Sequence, residues 1–201
     1  MANDKQVRVV RTALRETLRP LGFTVAGGTS NRSARDGIIH VISLQFGTGS
    51  LTGSCTVNVG VFIPEVAAVF GVGPNRDHVS ETACDVRGRI GRLMPSGDDS
   101  WWPFAAKPEE VARQVPEAVS QFALPFLSKL ETREALVASW QALEAFTTPR
   151  RTIDLALVLA AAGRRAEALE LIERALQSSS PHIPLLAKRA KARIERHAPA
   201  V

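Results

Sequence analysis

The chain has 201 residues, 45% hydrophobic and 22% charged, with a mean hydropathy near zero, which excludes both a disordered chain and a membrane-spanning one. Its net charge is +5 and its pI about 9.9, yet ten basic against five acidic residues from Arg150 onward carry all of that excess. The chain before Arg150 is electrostatically balanced, and the length allows a main domain with a smaller appendage.

No apolar run approaches the ~20 residues of a bilayer span. The opening "MANDKQVRVVRTALRETLRP" is charged throughout, unlike a secretory signal, so a cytoplasmic protein is expected. Cys55 and Cys84 lie far apart and neither belongs to a CxxC, so both are expected to be buried small hydrophobes.

The first predicted element is an amphipathic helix, started by Asp4 and stopped by Pro20 and Gly22, with Val7, Val10, Leu14 and Leu18 on one face. "LGFTV", "AGG" and "TSNRSARDG" follow, rich in turn residues, so strands here should be short. The period then changes to two. "IIHVISLQF" puts Ile38, His40, Ile42, Leu44 and Phe46 on one side, and "CTVNVGVFI" puts Cys55, Val57, Val59, Val61 and Ile63 on an apolar face with Thr56, Asn58 and Gly60 facing away. Two consecutive alternating strands joined by "GTGSLTGS" argue for an antiparallel sheet with one face for a helix to cover.

A short helical turn fits Pro64–Phe70. In "ACDVRGRIGRL" alternation places Cys84, Val86, Gly88 and Ile90 on one face and Asp85, Arg87, Arg89 and Gly91 on the other, as a third long strand. After Trp101–Trp102–Pro103 the pattern is helical. Pro108 with Glu109 and Glu110 starts one helix, Pro116 and Pro125 are expected to break it, and Thr132 opens a helix carrying Leu136, Val137, Trp140, Leu143 and Phe146. Beyond "TTPRR", Leu155, Leu159, Gly163, Ala168, Ile172 and Ala175 fall at the spacings of a tetratricopeptide-type hairpin, and a basic helix follows around Ile183–Arg196.

"LGF" after the first helix, Arg32, "VISLQ", "VNVGV", the run from Cys84 to Leu93 and the pair Trp101–Trp102 together resemble the uncharacterised family known as domain of unknown function 4304, over residues about 4–146. The resemblance implies an α+β domain and carries over no catalytic residue.

Candidate chemistry is sparse. Ser54 and Cys55 in "LTGSC" precede a strand, not the helix a nucleophile elbow needs, and "GTGSLTG" lacks the lysine of a phosphate loop. His40, His78, His182 and His197 are not at ligand spacing, so neither metal nor cofactor is implied; His40 is expected to be a hydrogen-bonded core histidine. "PSGDDS" reads as a turn. What remains is a cluster of Arg87, Arg89, Asp98, Asp99, Trp101 and Trp102. Arg87 and Arg89, ~7 Å apart on one strand face, either pair with Asp85 and the Asp98/Asp99 turn or grip a partner's carboxylate or phosphate, with Trp101 and Trp102 as anchors. Lys188, Arg189, Lys191, Arg193 and Arg196 wrap the last helix as a solvated cap or a phosphate-binding surface.

The expected architecture is α+β: an antiparallel sheet of about four strands packed by helices on one face, as a domain of residues 1–147, then a helical hairpin and final basic helix over 148–201. With no assembled catalytic set, a non-enzymatic protein-binding module of adaptor or immunity type is expected, with a nucleic-acid-binding protein using the basic C-terminal helices as the alternative and an enzyme third.

Overall fold

The computed structural model describes residues 4–71, 78–142 and 148–196. They form two compact units, one drawn from Met1–Phe62 and Arg76–Lys129, the other from Ile63–Asn75 and Leu130–Val201. The first is α+β and the second helical. Among the described residues no helix is long and apolar enough to cross a membrane.

The first unit is built on a five-stranded antiparallel meander, β1 (Thr24–Ala26), β2 (Thr29–Ser33), β3 (Ile39–Phe46), β4 (Cys55–Phe62) and β5 (Val86–Arg89), in the order β1-β2-β3-β4-β5. α1 (Asp4–Leu18) turns Val10, Leu14 and Leu18 inward, as its spacing requires. It packs against α3 (Pro108–Ala118), which buries Val111, Val115 and Ala118. The apolar strand face contributes Ile42, Leu44, Val57, Val59 and Val61 to the same core. His40 is fully buried on this face and bonds through Nδ1 to an Arg32 guanidinium nitrogen at 3.1 Å, while Arg32 stacks on Phe23.

Four expectations are corrected here. Thr56, Asn58 and Gly60 face away from the apolar side, but the sheet is not covered on one face alone: all eight residues of β4 are buried. Two returning segments cover its second face. Asn31 presents its side-chain amide to Val79 like a strand neighbour, Nδ2 donating to the Val79 carbonyl at 2.9 Å and Oδ1 accepting from its N–H at 2.5 Å, and Thr56 Oγ1 donates to the Ser100 carbonyl at 2.8 Å.

The third strand is short, because β5 ends at Arg89 and a 3-10 turn over Ile90–Leu93 follows. The edge of β4 beyond that point is taken by Trp102, whose backbone exchanges both hydrogen bonds with Cys55. Cys84 also leaves the expected alternation. It follows a 3-10 turn at Glu81–Ala83 and lies over Gly60, where an added Cβ would meet its Sγ at 2.6 Å. Gly60 pairs with Arg87 across the ladder, and directly opposed residues share a face, so Cys84 sits on the arginine side of the sheet.

Pro116 and Pro125 do not break the helical run. Pro116 lies inside α3, a π-type turn over Val119–Ala123 follows, and α4 (Leu124–Ser128) carries Pro125 in its first turn. The Leu124 N–H reaches five residues back to the Val119 carbonyl, a widened turn of the kind by which a helix accommodates a disrupted ladder.

The second unit comprises α2 (Pro64–Val69), α5 (Arg133–Gln141), α6 (Pro149–Ala161), α7 (Arg165–Leu176) and α8 (Ile183–Arg196). Thr132 and Thr148 cap α5 and α6 by accepting from Ala135 and Arg151 N–H groups. Leu143 and Phe146 lie outside the described residues. Gly163, at φ 84, lets α6 and α7 fold into the expected hairpin. The boundary at 147/148 follows composition and period, whereas the compact units follow packing: α2, α5 and α8 all lie on α6, so the hairpin does not stand alone. Ala168, Ala175, Ala187 and Ala190 are buried between α6, α7 and α8 and permit close approach.

Among the described residues of this unit two carboxylates are buried. Glu65 accepts two bonds from Arg133, at 2.8 and 3.2 Å, and Asp154 accepts from Arg150 Nε at 3.0 Å. Burial raises the Asp154 pKa above its ordinary 3.8, and Arg150 and Arg151 offset this only in part. The folded chain therefore holds that proton more tightly than the unfolded chain. The stability this confers is complete below the unfolded pKa and is lost as pH rises through the folded value. Asp154→Asn lacks that loss, so its Tm relative to wild type is expected to rise between about pH 3 and pH 7; a difference that falls over this range contradicts the assignment.

Candidate binding surface

β5 follows a turn and runs only four residues, so Arg87 and Arg89 project from its exposed end on one face. Arg89 NH1 donates to Asp99 Oδ2, and its guanidinium lies over the Trp101 ring at 5.0 Å from the centroid. A carboxylate and an aromatic face together hold one guanidinium plane. Arg87 has a weaker hold, its NH1 standing 3.9 Å from Glu81 Oε1 with 54% of the side chain exposed.

The loop that supplies Asp99 and Trp101 is fixed from below by Gly91. A Cβ there would meet the Asp98 carbonyl oxygen at 2.1 Å and the Ser100 nitrogen at 2.6 Å. Arg92 NH1 adds a bond to the Gly97 carbonyl at 3.1 Å. The segment after β5 thus folds back on its own end and presents Trp101 to Arg89.

From Arg89 a row of polar side chains continues across the same sheet face. Asn58 opposes Arg89 in register and donates through Nδ2 to Gln45 Oε1 at 2.9 Å. Ser43 opposes Asn58 and shares a hydrogen bond of 3.1 Å with Thr29. Alternation puts Ser43 and Gln45 on the side opposite Ile42 and Leu44, as it puts Asn58 opposite Val57 and Val59; what alternation lacks is the register that lines them up beside the arginines.

Of the six residues expected to cluster, Arg89, Asp99 and Trp101 come together. Arg87 flanks them, its guanidinium 3.9 Å from Glu81, a carboxylate that the alternation of the strand does not point to. Asp98 contributes its backbone, packed on Gly91, and Trp102 is half-buried and committed to the bridge with Cys55. The five basic residues of α8 divide. Lys191 Nζ bonds Glu173 at 2.7 Å, which raises the pKa of its ammonium, Lys188 is exposed, and Arg189, Arg193 and Arg196 line one pocket with Ala68–Gly71.

Both cysteines are buried, which disfavours the thiolate in the folded chain. Burial pushes both thiols up to about 12, and for Cys84 the carboxylates of Asp85 and Glu81 add to it. Neither is bonded to the other: Cys55 alternates onto the helix side of β4, and Cys84 covers Gly60 on the opposite side. A thiolate-selective disulfide reagent at about pH 8 is expected to label neither cysteine in the native protein and both in denaturant; rapid native labelling contradicts their burial.

The sequence model of a family described as "Domain of unknown function (DUF4304)" matches residues 14–129. This span holds the whole sheet, α3 and the Arg89–Trp101 arrangement. No curated protein and no solved structure matches.

Proposed function

We propose, from the premise that the chain belongs to the DUF4304 family, that it is a non-enzymatic protein-binding module of adaptor or immunity type, working in the cytoplasm. Its contact surface is Arg87, Arg89 and Trp101 with the adjoining half-buried Gln45 and Ser43, which the buried Asn58 backs from β4. The observation that carries this reading is the held guanidinium of Arg89 beside the loosely paired, exposed Arg87. One donor set is preorganised and the other can exchange Glu81 for a partner's carboxylate at little cost, since exposed pairs contribute only about 0–1 kcal/mol. Trp101 adds an aromatic anchor at the same point, and Trp and Arg are the residue types that dominate interface hot spots.

The partner this surface suits is a protein with an acidic, hydrogen-bonding face. Affinity capture from lysate of the source cell at low and moderate salt, followed by mass spectrometry, is expected to recover one protein with wild type and to lose it with Arg87→Glu/Arg89→Glu. Recovery undiminished by the charge reversal overturns the proposal. The nucleic-acid alternative draws less support, because Lys191 is engaged by Glu173 and three of the arginines converge on a single pocket instead of tracking a backbone.

A further inference from the structure

Among the described residues β1 pairs with β2 alone and forms one end of the sheet, and all three of its residues are exposed. Gly27 and Gly28 join it to β2 as a two-residue turn closed by Ala26 and Thr29. Bonded and non-bonded pairs alternate from such a closing pair, so Val25, opposite Ser30, directs its own N–H and C=O to the free edge. An open edge of this kind is a template for another strand.

Val25 lies in register with Ser30 and Ile42, which puts its side chain on the sheet face that α1 covers. There it lines a hollow with Arg8, Arg11 and Arg15, which α1 presents on one side at three- and four-residue spacing. All three arginines are exposed, and among the described residues no ion pair engages them. The Arg11 guanidinium stands 5.0 Å from the Phe46 ring centroid. One carboxylate shares the lining: Asp4, in the first turn of α1, where the positive end of the helix dipole also holds it. Met1, Ala2 and Asn3 before it bring no carboxylate side chain. The hollow therefore keeps an excess of positive charge.

The open edge and the arginine row fit one occupant. A residue that an added strand places opposite Val25 shares the Val25 face, as do the residues two before and two after it. Those three positions span about 13 Å of strand, against about 10 Å of helix from Arg8 to Arg15, so alternate side chains meet the row. We propose that the β1 edge accepts an extended acidic segment of another protein as a further strand, its alternate carboxylates on Arg8, Arg11 and Arg15 and its backbone on Val25. Guanidinium forks pair bidentately with carboxylates, and main-chain bonds add to them, as in other cases of strand addition. A second copy of β1 is disfavoured, because it would bring another arginine row to the same hollow. β1 and β5 are opposite ends of the sheet, so this surface and the Arg87/Arg89 surface fail independently.

The test is fluorescence anisotropy of a labelled heptapeptide of alternating glutamate and valine, titrated with the full chain. One-to-one binding is expected. It weakens at least ten-fold when glutamine replaces the glutamates, when the peptide's backbone nitrogens are methylated, and in Arg8→Gln/Arg15→Gln. Lys129→Glu, exposed and outside the hollow, changes nothing. Circular dichroism of each variant confirms the helical content. The proposal is overturned if the alternating peptide does not bind, if the double arginine variant or the methylated peptide binds undiminished, or if a single-stranded oligonucleotide of the same charge binds equally well. It is also overturned if sedimentation shows the free chain to be a dimer that Val25→Pro, a change an outward-facing N–H tolerates, makes monomeric.

Discussion

Gly91→Ala is expected to destabilise the first unit by about 3 kcal/mol, at the top of the usual range for overpacking. The added methyl meets backbone, not a side chain: the Asp98 carbonyl oxygen would stand at 2.1 Å and the Ser100 nitrogen at 2.6 Å. No rotamer change relieves such a contact, so the 98–100 loop must lift. Lifting it separates Asp99 and Trp101 from Arg89 and strains the Thr56 bond to Ser100. A urea titration followed by tryptophan fluorescence should show a lower midpoint together with an altered native emission from Trp101. An unchanged midpoint and spectrum would mean that the loop does not close on Gly91.

The second large effect lies across the sheet. Gly60→Ala is expected to cost about 2–3 kcal/mol, again by overpacking, because its Cβ would meet Cys84 Sγ at 2.6 Å and Cβ at 2.8 Å. Here the obstacle is a side chain, so the loss should be recoverable. Cys84→Ala removes only the sulfur, whereas Cys84→Gly removes both atoms. The Gly60→Ala/Cys84→Gly double variant should therefore be more stable than the sum of the single changes by over about 1 kcal/mol, a coupling typical of residues in direct contact. Additive single effects would place Cys84 away from Gly60.

How far the fold could be read from the residues depended on the range of the interactions involved. The face of α1, the strands through Val41 and Val59, the cap at Thr132 and the hairpin at Gly163 all follow from local periods and termini. The burial of β4 on both faces does not, because it rests on bonds from Asn31 to Val79, 48 residues apart, and from Thr56 to Ser100, 44 apart. The same limit shortened β5: its partner edge is occupied by Trp102, which no alternation within "CDVRGRIGRL" reveals. Pro116 and Pro125 depart from expectation for a different reason, since a π-type turn absorbs a disruption that local propensity scores as a break.

The site shows the same division. A period of two was enough to put Arg87 and Arg89 on one face, and proximity in sequence was enough to bring Asp99 and Trp101 within reach. Choosing Asp99 over Asp98, and bringing Glu81 to Arg87, required the backbone path through Gly91 and the turn at Glu81–Ala83. The pocket arginines were visible as residues of a basic helix. Their convergence was not, because it depends on α2, more than a hundred residues earlier in the chain, packing against α8.

The central claim is that the polar sheet face beside Arg87, Arg89 and Trp101 is where a protein partner docks. Site-specific photocrosslinking in lysate of the source cell tests it most directly, with a benzophenone side chain placed at Gln45 within the polar row or at Leu185, which is exposed on α8. One dominant protein adduct from position 45, absent from position 185 and lost with Arg87→Glu/Arg89→Glu, is the result expected. The same adducts from both positions, or none from position 45, would contradict it.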